Sequence, residues 1–168
     1  VTSTPMHHRF AIKAMEAGLH VITEKPMGLT LKACRQMRET SRSTGKVMAV
    51  AENFRRDPMN RLTKALIRAG AIGKPYFALD IGVHSSGGAV MHSTAWRAKK
   101  EQAGGSPLDA GVHNADMLLF LLGGVDTVYA ETAINEPQRT LQPMTEVAPG
   151  LAAMYNHRKE EGYSTGDT

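Results

Sequence analysis

The sequence has few of the features that mark secreted, membrane or nucleic-acid-binding proteins. One cysteine, Cys34, occurs among 168 residues, which excludes an internal disulfide and a zinc site built from several cysteines. No apolar run reaches the roughly 18 residues that a membrane-spanning helix needs. Lys and Arg number 20 against 16 Asp and Glu, and this excess is spread along the chain, which disfavours nucleic acid as a partner. We therefore expect a globular protein with neither a membrane nor a nucleic-acid partner, cytoplasmic by default.

The two ends of the sequence suggest an internal piece of a longer protein. The chain starts at Val1, and it ends in a polar stretch, residues 162–167, where no further element closes. Residues 1–11 contain no apolar segment of the kind found in signal peptides, but without the true N-terminus this leaves targeting open.

Helix and strand patterns alternate through the first 55 residues. Hydroxyl caps, first-turn prolines, apolar residues at helical spacing and closing glycines mark the helices, whereas short apolar runs mark the strands. They predict a helix over 5–18, a strand over 21–23, a helix over 30–45 and a strand over 47–51. Because parallel neighbours need a long crossover connection, this order predicts an α/β fold with a parallel sheet.

The pattern continues less regularly after residue 55. Asp57 and Pro58 open a third predicted helix that closes at Gly70. Beyond it the pattern predicts a strand over 76–83, a long ligand-approaching loop over 84–105 anchored by Trp96, a helix capped by Asp109 and running to Leu122, and a strand over 127–132.

Lys25 is the first residue that suggests chemistry. It follows the predicted strand 21–23, and ligands of parallel sheets collect at the carboxyl ends of the strands. A lysine there can donate to a substrate hydroxyl or carboxylate. The alternative is a solvated turn lysine, which spacing alone favours because most lysines lie on surfaces.

Asp109 and His113 form the second candidate cluster. They are four residues apart at a predicted helix start, so their side chains can share one side, where the carboxylate would orient the imidazole. Such a pair suits proton transfer at neutral pH. The alternative is an Asp cap followed by a hydrogen-bonded histidine of no chemical role.

Two other site types lack support. The remaining histidines considered as metal ligands have no tight ligand spacing, so we expect no metal site; they are His7, His8, His84 and His92. The sequence also contains no Gly-x-Gly-x-x-Gly loop, so no segment of it by itself binds a dinucleotide pyrophosphate.

Several short motifs stand in a fixed order along residues 1–132. They are the segment 14–27 around Glu-Lys-Pro, the triplet Asn53, Phe54 and Arg55, the segment 70–75, the pair Trp96 and Arg97, and the segment 104–116. In this order and spacing the sequence resembles the Gfo/Idh/MocA family of NAD(P)-dependent oxidoreductases.

The resemblance implies a particular α/β architecture. Residues 1–55 would be the C-terminal half of a dinucleotide-binding Rossmann domain. Residues 56–168 would be part of an α+β substrate-binding and oligomerisation domain with a mostly antiparallel open sheet. The strand with the glycine fingerprint would precede Val1, and the full-length protein would be a homo-oligomer, either a dimer or a tetramer.

The resemblance also implies roles for particular residues. Lys25, Asp109 and His113 would be catalytic and would contact substrate, with His113 as general base. The residues on the side of the NAD or NADP cofactor would be Glu24, Lys25, Pro26, Asn53, Arg55 and His7, with a cis peptide before Pro26. Trp96 and Arg97 would lie on the substrate side.

The implied activity is hydride transfer between the nicotinamide and a hydroxyl-bearing carbon of a sugar, inositol or related polyol. Two alternatives remain at this point. One is a cofactor-binding regulator that keeps the fold without catalysis. The other is that this stretch by itself is inactive, because half of a doubly wound sheet leaves apolar edges uncovered.

Overall fold

The computed structural model describes residues 2–82 and 99–133. These residues belong to two compact units, the first with 2–81 and 106–129 and the second with 82, 99–105 and 130–133. In chain order the helices and strands are α1 (His7–Glu16), β1 (Val21–Thr23), α2 (Leu31–Thr44), β2 (Met48–Val50), α3 (Pro58–Arg68), α4 (Lys100–Ala103), α5 (Ser106–Asp109) and α6 (Gly111–Leu122). Short 3₁₀ turns cover Thr4–Met6 and Phe54–Arg56.

The ends of α2 follow from the local chemistry of the sequence. The Thr30 hydroxyl accepts a hydrogen bond from the backbone N–H of Ala33 at 3.1 Å, which satisfies one of the unpaired donors in the first turn. Gly45 ends the helix with a φ of 66°, a left-handed conformation that glycine adopts without a steric penalty. The predicted cap and stop of this helix are confirmed.

The third helix has the predicted start and stop as well. The Asp57 carboxylate accepts from the backbone N–H of Met59 at 2.8 Å and of Asn60 at 3.3 Å, while Pro58 occupies the first turn. Gly70 follows the helix with a φ of 74°. Asp57 therefore fixes where α3 begins, immediately after the turn that follows β2.

The sheet consists of β1 and β2, which run parallel with Val21 opposite Met48 and Thr23 opposite Val50. The predicted strands at 21–23 and 47–51 are confirmed, and α2 is the crossover between them. Because the strands are parallel, both carboxyl ends lie at the same edge of the sheet. The segments that follow Thr23 and Val50 therefore leave the sheet side by side.

A small apolar core joins the first two helices to this sheet. Met15 of α1 and Met37 of α2 are fully buried and cluster with Ala11. Val21 and Met48, from the two strands, pack against this cluster. The core thus fixes the strands, and with them the positions of the residues at their carboxyl ends.

Two predicted strands are absent from the described residues. Neither 76–82 nor 127–132 forms a strand, and within 2–82 and 99–133 the structure has one ladder, between β1 and β2. Tyr76 is 99% exposed and Val128 77% exposed. The strand predictions are wrong there because an apolar pattern reports side-chain preference, whereas a strand also requires a neighbouring backbone to pair with.

Asp109 does not cap the long helix, so this prediction is also wrong. It is the last residue of the short helix α5, and α6 begins two residues later with Ala110 at its N-cap and no side-chain cap. The reason is that residues Ser106–Asp109 form a separate helical turn, which ends with a hydrogen bond from the N–H of Ala110 to the carbonyl of Ser106 at 2.9 Å.

The predicted loop 84–105 is described only from residue 99, where it includes α4. Its anchor Trp96, together with Arg97, His84 and His92, lies outside the described residues. In the described part of the chain, none of the helices combines the length and apolar character required to cross a membrane.

Candidate functional site

The candidate site forms where the two strands of the sheet end. Lys25 lies two residues beyond β1, and Glu52 lies two residues beyond β2. Each of them contacts the segment at the junction of α5 and α6, which holds Asp109 and His113. The site is therefore built from three separate parts of the chain that the parallel sheet brings together.

Lys25 and Asp109 form an ion pair. The ammonium Nζ of Lys25 lies 3.2 Å from the Asp109 Oδ1 and 2.6 Å from the backbone carbonyl of Asp109. The Asp109 side chain is 5% exposed and that of Lys25 is 21% exposed. Partial burial excludes much of the water that would screen the pair, so both charges are held in one geometry. Lys25 is thus not the solvated turn lysine of the alternative interpretation.

His113 is paired with a carboxylate that the sequence analysis missed. The Nδ1 atom of His113 lies 2.8 Å from Oε2 and 2.9 Å from Oε1 of Glu52, which is 61 residues away in sequence. Glu52 is 8% exposed. Its only sequence signal is its position two residues after β2, equivalent to that of Lys25 after β1. That signal indicates the edge of the sheet but not the partner.

Phe54 completes the surroundings of the imidazole. Its ring is stacked on the ring of His113, with centroids 4.4 Å apart and planes 19° apart. Its backbone N–H also donates to Glu52 Oε1 at 3.0 Å. One short segment after β2 therefore supplies both a carboxylate for the imidazole and an aromatic face.

The Lys25–Pro26 peptide bond is cis, which confirms this expectation. His7 lies behind the turn, 5% exposed, and its Nδ1 donates to the Pro26 carbonyl at 2.9 Å. Its Nε2 lies 3.3 Å from the carbonyl of Thr2. His7 thus contacts the backbone that carries Lys25, and its contact with a cofactor remains a prediction.

Arg55 binds α6 through its whole guanidinium edge. Its Nε and Nη2 donate to Asp116 at 2.5 and 2.7 Å, and the guanidinium lies 5.3 Å from the centre of the Phe120 ring. The hydrogen bond to Asp116 raises the pKa of Arg55, and burial opposes this only partly. The pair ties the turn after β2 to α6 one helical turn beyond His113.

The other predicted cofactor residues are exposed. Glu24 and Asn53 both lie at the surface of the described structure. Asn53 and Phe54 line an open cavity of about 660 Å³ beside the start of α3. The structure thus gathers Lys25, Asp109 and His113 into one region, while Trp96 and Arg97 fall outside the described residues. The described part of the chain contains no cluster of three or more potential metal ligands.

Two family models match this chain over most of its length. The NAD-binding Rossmann-fold model of the Gfo/Idh/MocA oxidoreductases matches residues 1–52, and the C-terminal domain model of the same family matches residues 60–157. This chain belongs to the Gfo/Idh/MocA oxidoreductase family.

Curated relatives of this chain include two named dehydrogenases. The chain is 33% identical to levoglucosan dehydrogenase of Pseudarthrobacter phenanthrenivorans, over 84% of this chain and 36% of the relative. It is 33% identical to scyllo-inositol 2-dehydrogenase (NAD(+)) of Bacillus subtilis, over 73% of this chain and 34% of the relative. The chain therefore spans about a third of the length of these relatives.

Solved structures match the fold. The WlbA dehydrogenase of Bordetella pertussis, in complex with NADH and UDP-GlcNAcA, superposes with a TM-score of 0.67 at 28% identity, covering 79% of this chain and 38% of that one. The chain therefore has the α/β Rossmann-like fold of these dehydrogenases, as the sequence predicted.

Proposed function

We propose that the intact protein is an NAD(P)-dependent oxidoreductase that transfers a hydride between the nicotinamide and a hydroxyl-bearing carbon of a sugar, inositol or related polyol. The observation that carries the proposal is the assembly of Lys25, Asp109 and His113 from distant segments at the carboxyl edge of the sheet. The names of the relatives support the substrate class, because levoglucosan and scyllo-inositol are both rings with secondary hydroxyls.

The residues at this edge fit a nicotinamide cofactor. Parallel sheets bind nucleotides at their carboxyl edge, where the buried turn at Pro26 and the exposed Asn53 leave the strands. The residues we propose to hold the cofactor are Glu24, Lys25, Pro26, Asn53, Arg55 and His7. When bound, the cofactor supplies the hydride acceptor or donor. NAD and NADP remain equal candidates.

The side chains divide the remaining chemistry. His113 takes the proton of the reacting hydroxyl at Nε2, since its Nδ1 is bonded to Glu52. Lys25 donates to the same oxygen and stabilises the negative charge that develops on it. Asp109 positions the Lys25 ammonium and accepts from a neighbouring hydroxyl. We place Trp96 and Arg97 on the substrate side.

The division into domains is part of the proposal. Residues 1–55 would belong to the Rossmann domain and residues 56–168 to a substrate-binding domain with a mostly antiparallel open sheet. The limits of the two family matches, 1–52 and 60–157, support a boundary between them. We further propose a homo-oligomer, a dimer or a tetramer, in the cytoplasm.

The test is turnover by the intact protein with a panel of inositols, anhydrosugars and glucosides, followed by absorbance of the reduced nicotinamide with NAD and with NADP. His113→Ala should lower turnover about 100-fold to 10,000-fold while cofactor binding survives. His8→Ala, a histidine of α1 outside the site, is the matched control. Unchanged turnover in His113→Ala would remove the base assignment. Tight cofactor binding without turnover of any polyol would favour a regulator of the same fold.

A further inference from the structure

The segment after β2 holds the His113 imidazole in two ways, by a hydrogen bond at Nδ1 and by stacking on one face of the ring. The two oxygens of Glu52 share the single N–H that Nδ1 can offer, at 2.8 and 2.9 Å. The ring of Phe54 covers one face of the imidazole at 4.4 Å. Glu52 and Phe54 are two residues apart, so one short turn provides the hydrogen-bond acceptor and the stacking partner.

The Glu52 carboxylate is itself fixed. It is 8% exposed, and Oε1 also accepts from the backbone N–H of Phe54 at 3.0 Å. A buried carboxylate is stable only with donors around it, and the imidazole Nδ1–H is such a donor. The charge and the geometry of Glu52 therefore favour one tautomer of neutral His113, with the proton on Nδ1 and the lone pair on Nε2.

We propose that Glu52 and Phe54 are positioning residues that hold His113 in the Nδ1–H tautomer, so that Nε2 is available to accept a proton. The inference rests on the proposed function for its catalytic meaning, but the tautomer is a property of the protein alone. Nothing in the sequence pattern of Asp109 and His113 indicates this partner, which lies in the segment after β2.

The arrangement has a clear consequence for the reaction. In the proposed reaction Nε2 would take the hydroxyl proton of the substrate alcohol. The bound cofactor would supply the acceptor for the hydride from the carbon that bears this hydroxyl, which would become a carbonyl carbon. His113 is then an imidazolium with both nitrogens protonated. The adjacent Glu52 carboxylate stabilises that charge, and the Phe54 ring hinders rotation that would exchange the two nitrogens.

A purely structural interpretation makes different predictions. If the contact only tied β2 to α6, then Glu52 variants would lower the free energy of unfolding without changing the tautomer of His113 or the turnover of folded protein. The isosteric Glu52→Gln separates the two interpretations, because its amide keeps the shape but can donate to Nδ1 and so stabilise the opposite tautomer. Glu52→Asp keeps the carboxylate on a shorter side chain.

The first experiment is ¹⁵N NMR of histidine-labelled intact protein, with His113→Gln used to assign the signals. We expect the neutral wild-type ring to carry its proton on Nδ1. In Glu52→Gln the population should shift towards Nε2–H, whereas Glu52→Asp should keep the wild-type tautomer. Glu39→Ala, an exposed carboxylate on α2, is the control and should change nothing. A wild-type ring protonated on Nε2, or an unchanged tautomer in Glu52→Gln, would overturn the proposal.

The second experiment measures kcat and KM on the substrate that the panel identifies. Glu52→Gln should lower kcat about 100-fold to 10,000-fold with a small change in KM, and Glu52→Asp should recover part of that loss. Phe54→Leu should lower kcat less, because it removes the stacked ring and keeps the carboxylate. Wild-type kcat in Glu52→Gln would overturn the proposal even where the dehydrogenase activity is present. A protein without turnover but with the Glu52-dependent tautomer would refute the proposed function and leave the positioning contact intact.

Discussion

The Nζ atom of Lys25 contacts two oxygens of Asp109, the backbone carbonyl at 2.6 Å and the carboxylate Oδ1 at 3.2 Å. The two residues are 84 positions apart in sequence. The shorter of the two contacts is to the backbone, so the position of the ammonium depends on where α5 ends as well as on the Asp109 side chain. The carboxylate and the lysine can therefore be tested separately.

Lys25→Met removes the charged donor and keeps an unbranched side chain of similar length. In the intact protein we expect it to lower kcat about 100-fold to 1,000-fold, the usual effect of losing one donor to a developing negative charge. We expect KM to rise as well, because we propose that the same ammonium contacts the bound hydroxyl. Steady-state kinetics measure both, with Lys32→Met on the exposed start of α2 as the control. Wild-type kinetics in Lys25→Met would contradict the assigned role.

Asp109→Asn should leave the position of the Lys25 ammonium almost unchanged. The backbone carbonyl still accepts from Nζ in this variant, so the lysine keeps its 2.6 Å contact. We expect substrate affinity to fall because an amide replaces the carboxylate that we propose accepts from a neighbouring substrate hydroxyl. A crystal structure of the variant would check the lysine, and a displaced Nζ would show that the carboxylate alone positions it.

His7 supports the turn that carries Lys25 and Pro26. Its Nδ1 donates to the buried carbonyl of Pro26 at 2.9 Å. His7→Leu removes that donor and supplies no other donor for the carbonyl. We expect His7→Leu to lower the free energy of unfolding by about 1–3 kcal/mol, the cost of a buried polar group without its partner. His7→Asn should lose less, since its amide nitrogen can occupy the place of Nδ1. Urea unfolding measures the difference, and equal losses in both variants would refute the hydrogen-bond explanation.

Local chemistry made part of the fold predictable. The hydroxyl of Thr30 and the carboxylate of Asp57 mark helix starts that the structure confirms, because a capping side chain acts within three residues of its own position. The strand at 21–23 was predictable from its own residues. The segment 76–82, with a similar apolar content, is not a strand, since strand formation depends on a partner that the pattern does not identify.

The candidate site shows the same limit. Lys25 and His113 were predicted as chemical residues, from the strand end and from a pattern four residues long. Glu52 was not, because its contact with His113 spans 61 residues and forms only where the segment after β2 packs against α6. The cap role expected for Asp109 failed for a related reason. Residues Ser106–Asp109 form a short helix with hydrogen bonds of its own, so α6 begins only after it, at Gly111.

The Arg55–Asp116 pair should contribute only modestly to stability. The side chains are 45% and 24% exposed, so water and salt screen the attraction. A double-mutant cycle with Arg55→Ala and Asp116→Ala should give a coupling of about 0.2–1 kcal/mol that falls as salt increases. Arg55→Lys should lose most of the coupling, because lysine cannot reproduce the two-point contact.

The pH dependence of this pair has a defined sign. Asp116 raises the pKa of Arg55, so the arginine stays charged throughout the range in which proteins remain folded. The arginine contribution is therefore fully present below its unfolded pKa, which includes the neutral and mildly alkaline range, and is lost only as the pH rises through the still higher folded value. Coupling that disappears in mild alkali instead would contradict the assignment of the contact to these two groups.

Cys34, on α2, offers a test of how burial changes the pKa of a thiol. Burial raises the pKa of its thiol, and a backbone hydrogen bond offsets this only in part. Only the thiolate is alkylated, so the pH midpoint for modification should lie higher in the folded protein than in urea. Restricted access would lower the maximum rate without moving that midpoint, which separates the two effects.

The raised pKa also sets the sign of the pH dependence of stability. The contribution of this thiol to the free energy of unfolding is fully present below its unfolded pKa, and it is lost as the pH rises through the higher folded pKa. Iodoacetamide kinetics followed by mass spectrometry of the peptide with Cys34 give both midpoints, and equal values would show that the thiol is effectively solvated in the native state.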